Sequence, residues 1–297
     1  VLNLSLSAAA PMQLFGESGT IPFEWWQVAL ILVAGVWAGL INTIVGSGTL
    51  VTFPVLVTMG VPPVTASMSN AMGLIAGNLT GAWSYRSELG GVKHTLKKLI
   101  PCSLAGGVIG AALLLTLPEE VFGVAAPILI VVALLFVIFQ PRLQAVVRRR
   151  KAQQEAAAAA DTDTETSGGV VDPDRSKQPL PLYFLVFFAG IYGGYFVAAQ
   201  GVLLVGILGV FLLASMQAAN AVKNVLVAAV NIVAALSYII LAFDRINWWV
   251  VLLIALSSTL GSWLGAKIGK RLSPIALRTV IVILGVVALI NMVSQLF

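Results

Sequence analysis

Residues 26–54 read WQVALILVAGVWAGLINTIVGSGTLVTFP, and the fold follows from this stretch. The part from Trp26 to Val45 carries no charge, and Gln27, Asn42 and Thr43 are its few polar side chains. Its length is what a helix needs to cross roughly 30 Å of hydrocarbon. The run breaks at Gly46-Ser47-Gly48 and resumes over residues 49–59, a segment too short to span by itself, with Pro54 inside it. Glycine and proline weaken helices, and open backbone within a membrane is tolerated only where it lines a cavity or packs against protein. A span, a glycine break and a half-length apolar segment therefore form one unit.

That unit occurs twice. At an offset of about 155 residues, Gly35-Val-Trp-Ala-Gly39 matches Gly190-Ile-Tyr-Gly-Gly194, and Gly46 matches Gly201. Asn70 aligns with Asn224 after a one-residue slip, Asn78 with Asn231, and Ser84-Tyr85 with Ser237-Tyr238. Gly106 and Gly110 match Gly261 and Gly265. Small residues four apart let helix backbones approach closely where lipid supplies no hydrophobic drive. Their recurrence in register predicts an internal duplication.

The remaining apolar runs complete the count. In the first half they are Ser67–Tyr85, Leu99–Leu115 and Val121–Phe139, and in the second Leu182–Ala199, Ala218–Phe243, Trp248–Ile268 and Ile275–Val293. The second short segment is Gly201–Ala214. The expected fold class is all-α: a polytopic membrane protein with two homologous halves, each of four long helices plus one short discontinuous segment. The expected organisation is an N-terminal segment 1–25, a first transmembrane repeat 26–141, a basic helix end and disordered linker 142–180, and a second repeat 181–297. The linker begins with Arg148-Arg149-Arg150-Lys151 and an alanine run that extends the fourth long helix.

Orientation depends on whether the short segments cross. If they do not, the halves run parallel and the cations near Lys270 face outside. If they do, the halves are inverted repeats, with fifteen of the seventeen Lys and Arg residues inside, Arg245 outside and Lys223 within the membrane. The positive-inside rule favours inversion. It also brings Trp25-Trp26 and Trp248-Trp249 to one interface, as an aromatic belt.

Composition closes off other classes. The 297-residue chain is 59% hydrophobic and 10% charged. Its basic residues cluster at helix ends rather than along a nucleic-acid stripe, so no nucleic-acid partner is expected. One Cys and one His allow neither a disulfide framework nor a metal cluster, and no cofactor or catalytic residue is expected. The first twenty residues carry no Lys or Arg and do not resemble a secretory signal peptide. An enzyme buried in the membrane would need a nucleophile with an acid–base partner, and the spans hold neither His nor carboxylate. A sensor or scaffold working through the linker is a further alternative. The expected partners are a small anion and the lipid bilayer, and the Gly-rich faces suit a homodimer as well as intramolecular packing.

Chemistry concentrates at the breaks. In the first half these are Asn42, Thr43, Gly46, Ser47, Gly48 and Thr49, and in the second Gln200 and Gly201. Paired interruptions in two repeats are the best sequence pointer to a transporter's site, and a half-helix starting near Ser47 offers free N–H groups to an anion. The following helices carry Ser69, Asn70 and Asn78 in one half and Asn220, Lys223, Asn224 and Asn231 in the other. These amides serve either interhelical bonding or an oxyanion. Lys223 is the sharpest residue. A mid-helix lysine costs about 2.5–3.5 kcal/mol to insert. No Asp or Glu lies in any expected span, which leaves a substrate anion, backbone carbonyls or snorkelling to an interface as compensation. The missing carboxylates also favour potential-driven export, because an anion leaving a negative interior gains about 2.3 kcal/mol per charge per 100 mV.

The residues Ala34-Gly35-Val-Trp-Ala-Gly39, the Gly46-Ser-Gly48 turn with Pro54, the Ala66…Ser69-Asn70 helix and the second-half glycines resemble the TauE/SafE family of sulfite exporters. The resemblance covers about 26–139 and 182–293. It implies a multi-pass protein of the bacterial cytoplasmic (inner) membrane that carries sulfite, thiosulfate or sulfonates such as sulfoacetate. Export is the expected direction, with uptake of an organosulfonate or thiosulfate as the alternative. A relay through several cysteines does not fit a chain whose one cysteine is Cys102.

Overall fold

The computed structural model describes residues 23–160, 178–198, 200–212, 214–268 and 274–294, and no strand occurs among them. The first half comprises α1 (Trp25–Ile44), α2 (Thr49–Thr58), α3 (Pro63–Ser84), α4 (Lys93–Thr116) and α5 (Glu119–Ala160). The second comprises α6 (Leu180–Tyr195), α7 (Gln200–Phe211), α8 (Met216–Leu241), α9 (Trp248–Ile268) and α10 (Pro274–Ser294). Both short segments are helices, and each long apolar run is contained largely within one helix. The protein is an all-α polytopic membrane protein.

Among the described residues, five segments are long and apolar enough to cross a membrane: Trp25–Ile44, Arg86–Thr116, Glu119–Phe139, Gln217–Leu241 and Trp248–Ile268. At 22 residues α3 is long enough, but Ser, Asn, Thr and Gly dilute its hydropathy. It is buried in protein rather than turned to lipid, so it tolerates them. At 16 residues α6 is shorter than expected, because the chain turns extended at Phe196 (φ −146°, ψ 97°) just after Gly193-Gly194. The 42 residues of α5 extend about 63 Å, roughly twice the hydrocarbon thickness. Its second half therefore projects beyond the membrane, as the Arg-rich helix end predicts. The disorder expected of the linker falls mostly on residues 161–177, which lie outside the described residues, as do most of the N-terminal segment and Lys270 and Arg271.

Contacts between the halves are reciprocal. Helix α1 packs on α9 and α6 packs on α4, so the first helix of each half meets the third long helix of the other. Likewise α3 packs on α9 and α8 on α4, while α2 touches α10 and α5 touches α7. Glycines set the first two crossings. A Cβ on Gly39 would run into the Ser258 carbonyl, and one on Gly261 into that of Val36. A Cβ on Gly194 would strike the Gly107 carbonyl, and one on Gly110 that of Ile191. At the centre Gly46 meets Gly201, the glycine it matches in sequence: a Cβ on Gly46 would lie 2.6 Å from the Gly201 carbonyl carbon.

The outside is apolar, and the interior sets polar side chains within an apolar core. Ile240 is 76% exposed and Leu241 70%, surfaces stable only against hydrocarbon. Asn70, Gln200, Lys223, Asn231 and Ser258 are buried within the bundle.

The crossing geometry makes a stability prediction. Gly39→Val should lower the unfolding temperature of the detergent-solubilised protein, by overpacking worth about 1–3 kcal/mol. Gly123→Val, at a position where a Cβ meets nothing within 4 Å, should leave it nearly unchanged. Fluorescence-monitored thermal unfolding of both variants is the check.

Candidate functional site

The site grows from the place where α1 stops. The last turn of any helix leaves carbonyls without intrahelical partners. Here the Val45 and Gly46 amides return to the Ile41 carbonyl, with Gly46 at φ +95°, a conformation that favours glycine. The next two carbonyls are answered from the other half of the chain. Lys223 Nζ donates to the Asn42 carbonyl at 2.7 Å and reaches that of Thr43 at 3.5 Å. Asn220 Nδ2 donates to the Thr43 carbonyl at 3.0 Å. One turn of α8 thus caps α1, and the ammonium group sits at the negative end of a helix dipole.

Lys223 is 1% exposed, so it does not snorkel to an interface. No ion pair to it is present among the described residues, and Glu24, Glu88, Glu119, Glu120 and Asp244 are all exposed. Its observed partners are neutral carbonyls. An ammonium has three N–H donors, of which one is used strongly and one at the limit of hydrogen-bond distance.

Polar groups without partners surround the break. Helix α2 begins at Thr49, after Gly48, with no side chain capping its N-terminus. Ser47 Oγ is buried beside it with no hydrogen-bond partner. Gln200, at the start of α7, is fully buried with neither amide atom paired, and packs where Gly193 has no side chain. Because Gly46 touches Gly201, the starts of α2 and α7 are close together. Asn42 Nδ2 donates to Asn78 Oδ1, which leaves Asn78 Nδ2 unpaired. Asn224 Nδ2 is also unpaired and, like Thr43 Oγ1, lies against Gly81. Buried polar groups are normally satisfied, so the unpaired donors of Asn78, Asn224 and Gln200, together with the unpaired Gln200 and Asn220 amide oxygens, mark the surroundings of the buried cation as a candidate site.

The family profile described as Sulfite exporter TauE/SafE matches residues 31–292, a range that contains this whole arrangement. The chain belongs to the TauE/SafE family. It is 26% identical over 250 residues to a Sinorhizobium protein named probable membrane transporter protein ORF9, with 82% of each chain covered. It is 23% identical over 272 residues to a Haemophilus influenzae protein named probable membrane transporter protein, covering 90% of this chain and 94% of that one. No solved structure matches it.

Within this TauE/SafE chain the residues singled out by sequence separate into groups. Asn42, Thr43, Asn78, Asn220, Lys223 and Asn224 gather around the end of α1. Gly46, Ser47, Gly48, Gln200 and Gly201 form the paired breaks. Asn70 is committed elsewhere: it accepts from Thr52 Oγ1 and donates to Thr49 Oγ1 at 3.3 Å, pinning α2 to α3. Ser69 accepts from the Asn247 backbone N–H at 2.9 Å, just before α9, and is an inter-half tether. Asn231 is fully buried with both amide atoms unpaired.

Sequence reasoning passed over Thr52, Ser258 and Ser262. Ser258 Oγ donates to the Gly73 carbonyl at 3.4 Å and Ser262 Oγ to that of Gly39 at 3.2 Å. The signal lay in the spacing of these serines beside Gly261 and Gly265, a small-residue stripe carrying hydroxyls. Tyr238, aligned with Tyr85, is fully buried and donates to the Gly194 carbonyl at 3.1 Å.

The Asn42–Asn78 contact is testable by a double-mutant cycle. Asn42→Ala and Asn78→Ala should be non-additive in unfolding free energy, with a coupling of about 1 kcal/mol. Additivity within about 0.3 kcal/mol would show that the amides do not act as a pair.

Proposed function

We propose that this protein exports a small sulfur oxyanion or sulfonate, such as sulfite or sulfoacetate, across the bacterial inner membrane. The observation that carries the reading is Lys223: a cation sealed in the bundle, held by neutral carbonyls alone, beside two helix breaks lined with unpaired donors. Such a place attracts an oxyanion, which brings the charge and lone pairs the site lacks. The family's description supplies the sulfur chemistry. The half-helices α2 and α7 add the positive ends of two dipoles near the same point.

The rest of the reading concerns energetics and direction. With no buried carboxylate among the described residues to couple protons or sodium, an anion's own charge is the simplest driving force. Moving one charge outward through 100 mV releases about 2.3 kcal/mol. We read the two halves as inverted repeats. Support comes from the reciprocal packing of α1 on α9 and α6 on α4, from Gly46 meeting Gly201, and from the positive-inside count. In that arrangement the binding point lies where the repeats cross, near mid-membrane.

Sulfite or sulfoacetate efflux from proteoliposomes is expected to rise with an imposed inside-negative potential. Lys223→Gln should preserve folding, because it removes the cost of burying a charge while keeping a polar tip, and should cut flux by about tenfold or more, the scale of one charge-assisted hydrogen bond. Undiminished flux in Lys223→Gln would remove the lysine from the substrate path. Wild-type efflux indifferent to potential would remove electrogenic export.

Topology has its own check. In a Cys102→Ser background, cysteines replacing Lys93 and Lys267 should be modified by a membrane-impermeant reagent from the cytoplasmic side, and one replacing Arg245 from outside. Labelling at 267 from outside alone would favour parallel halves.

A further inference from the structure

A second feature lies on the lipid-facing side of the bundle, with its inner end at Val202, next to the break residue Gly201. Helices α5 and α7 bound a groove of about 760 Å³ whose walls are almost wholly apolar, except for Arg142. Its floor is opened by Gly206, which is buried and has no side chain to fill the space. Along α5 the lining runs from Val132 to Arg142, about 15 Å of helix, half of the roughly 30 Å hydrocarbon core. Arg142 lies three residues past Phe139, where the apolar span ends, and its guanidinium sits over the Phe139 ring at 5.5 Å. The groove is therefore as deep as one leaflet, apolar where acyl chains lie and cationic where headgroups lie. Beyond it on the same helix, positions 148–151 read Arg-Arg-Arg-Lys. Basic pockets between membrane helices at this level suit anionic headgroups.

We propose that this groove binds an anionic phospholipid, with one acyl chain between α5 and α7 and the headgroup phosphate on Arg142. Length and charge complementarity favour this occupant. The guanidinium can take a phosphate bidentately, and the Phe139 ring holds it at the membrane boundary. A zwitterionic lipid fits the walls equally well but lacks the net charge that the arginine selects.

The test uses the full chain in nanodiscs of phosphatidylglycerol or phosphatidylcholine. Each is doped with the same lipid carrying an acyl-chain diazirine, and adducts are mapped by mass spectrometry. Adducts should concentrate on residues 132–139 of α5 and 203–210 of α7, with phosphatidylglycerol favoured about fivefold, the effect of roughly one juxtamembrane cation. Arg142→Gln should bring the two lipids to near parity. Val210→Trp, at an exposed rim position, should cut labelling by both while leaving the elution profile of the protein unchanged. Equal labelling by the two lipids in the wild type, or indifference to Arg142→Gln, would overturn the proposal. So would exclusion of both lipids together with disulfide formation between copies carrying Ile207→Cys, which would assign the groove to a second protomer.

Discussion

The ammonium group of Lys223 at the end of α1 is the contact around which the rest is arranged. Placing a cation in hydrocarbon is costly, and neutral carbonyls alone offset that cost incompletely. The fold responds by ending α1 at Ile44, turning the chain through Gly46 and presenting the Asn42 and Thr43 carbonyls to α8. Capping one helix with another's side chains ties the two halves together at the same spot. The break and the buried lysine are thus one feature: the C-terminal end of α1 and Lys223 of α8 satisfy each other.

Close backbone approach makes this arrangement attainable. The glycines of α1, α4, α6 and α9 bring helices from opposite halves near enough for serine hydroxyls on α9 to reach backbone carbonyls of α1 and α3. The contact of Gly46 with Gly201 puts the two breaks back to back, with no space for a side chain on either glycine. The unpaired amide nitrogens of Asn78, Asn224 and Gln200 are the donors that the proposed oxyanion would meet here. An anion arriving here would balance the lysine and satisfy amides at once.

Much of this was legible in the chain itself. Glycine spacing at Gly35, Gly39, Gly190 and Gly194 announced tight crossings, because in lipid small residues have few other uses. The break at Gly46-Ser47-Gly48 and the lone Lys223, which the structure brings together, stood out by violating what a membrane span permits. Hydropathy could not say which way a polar side chain turns. Ser69 and Asn70 looked like site residues in the same measure as Asn78, yet they bind Asn247 and the α2 hydroxyls. Orientation around a helix separates neighbours by about 100°, and only tertiary packing decides which of them faces the break. The serines of α9 were missed for the complementary reason: a serine among glycines reads as one more small residue until its carbonyl partner is known. The short α6 was also beyond hydropathy, since Phe196 and Val197 are as apolar as the helix they follow, though the chain there is extended.

The central claim is that an oxyanion rests on Lys223 at the meeting of the two breaks. Selenite has sulfite's shape and charge and scatters anomalously, so an anomalous difference map from crystals grown with it reports the anion's position directly. The account predicts a peak within hydrogen-bonding distance of Lys223 Nζ, between the starts of α2 and α7, that disappears in Lys223→Gln. A peak elsewhere in the protein, with none beside Lys223, would contradict it.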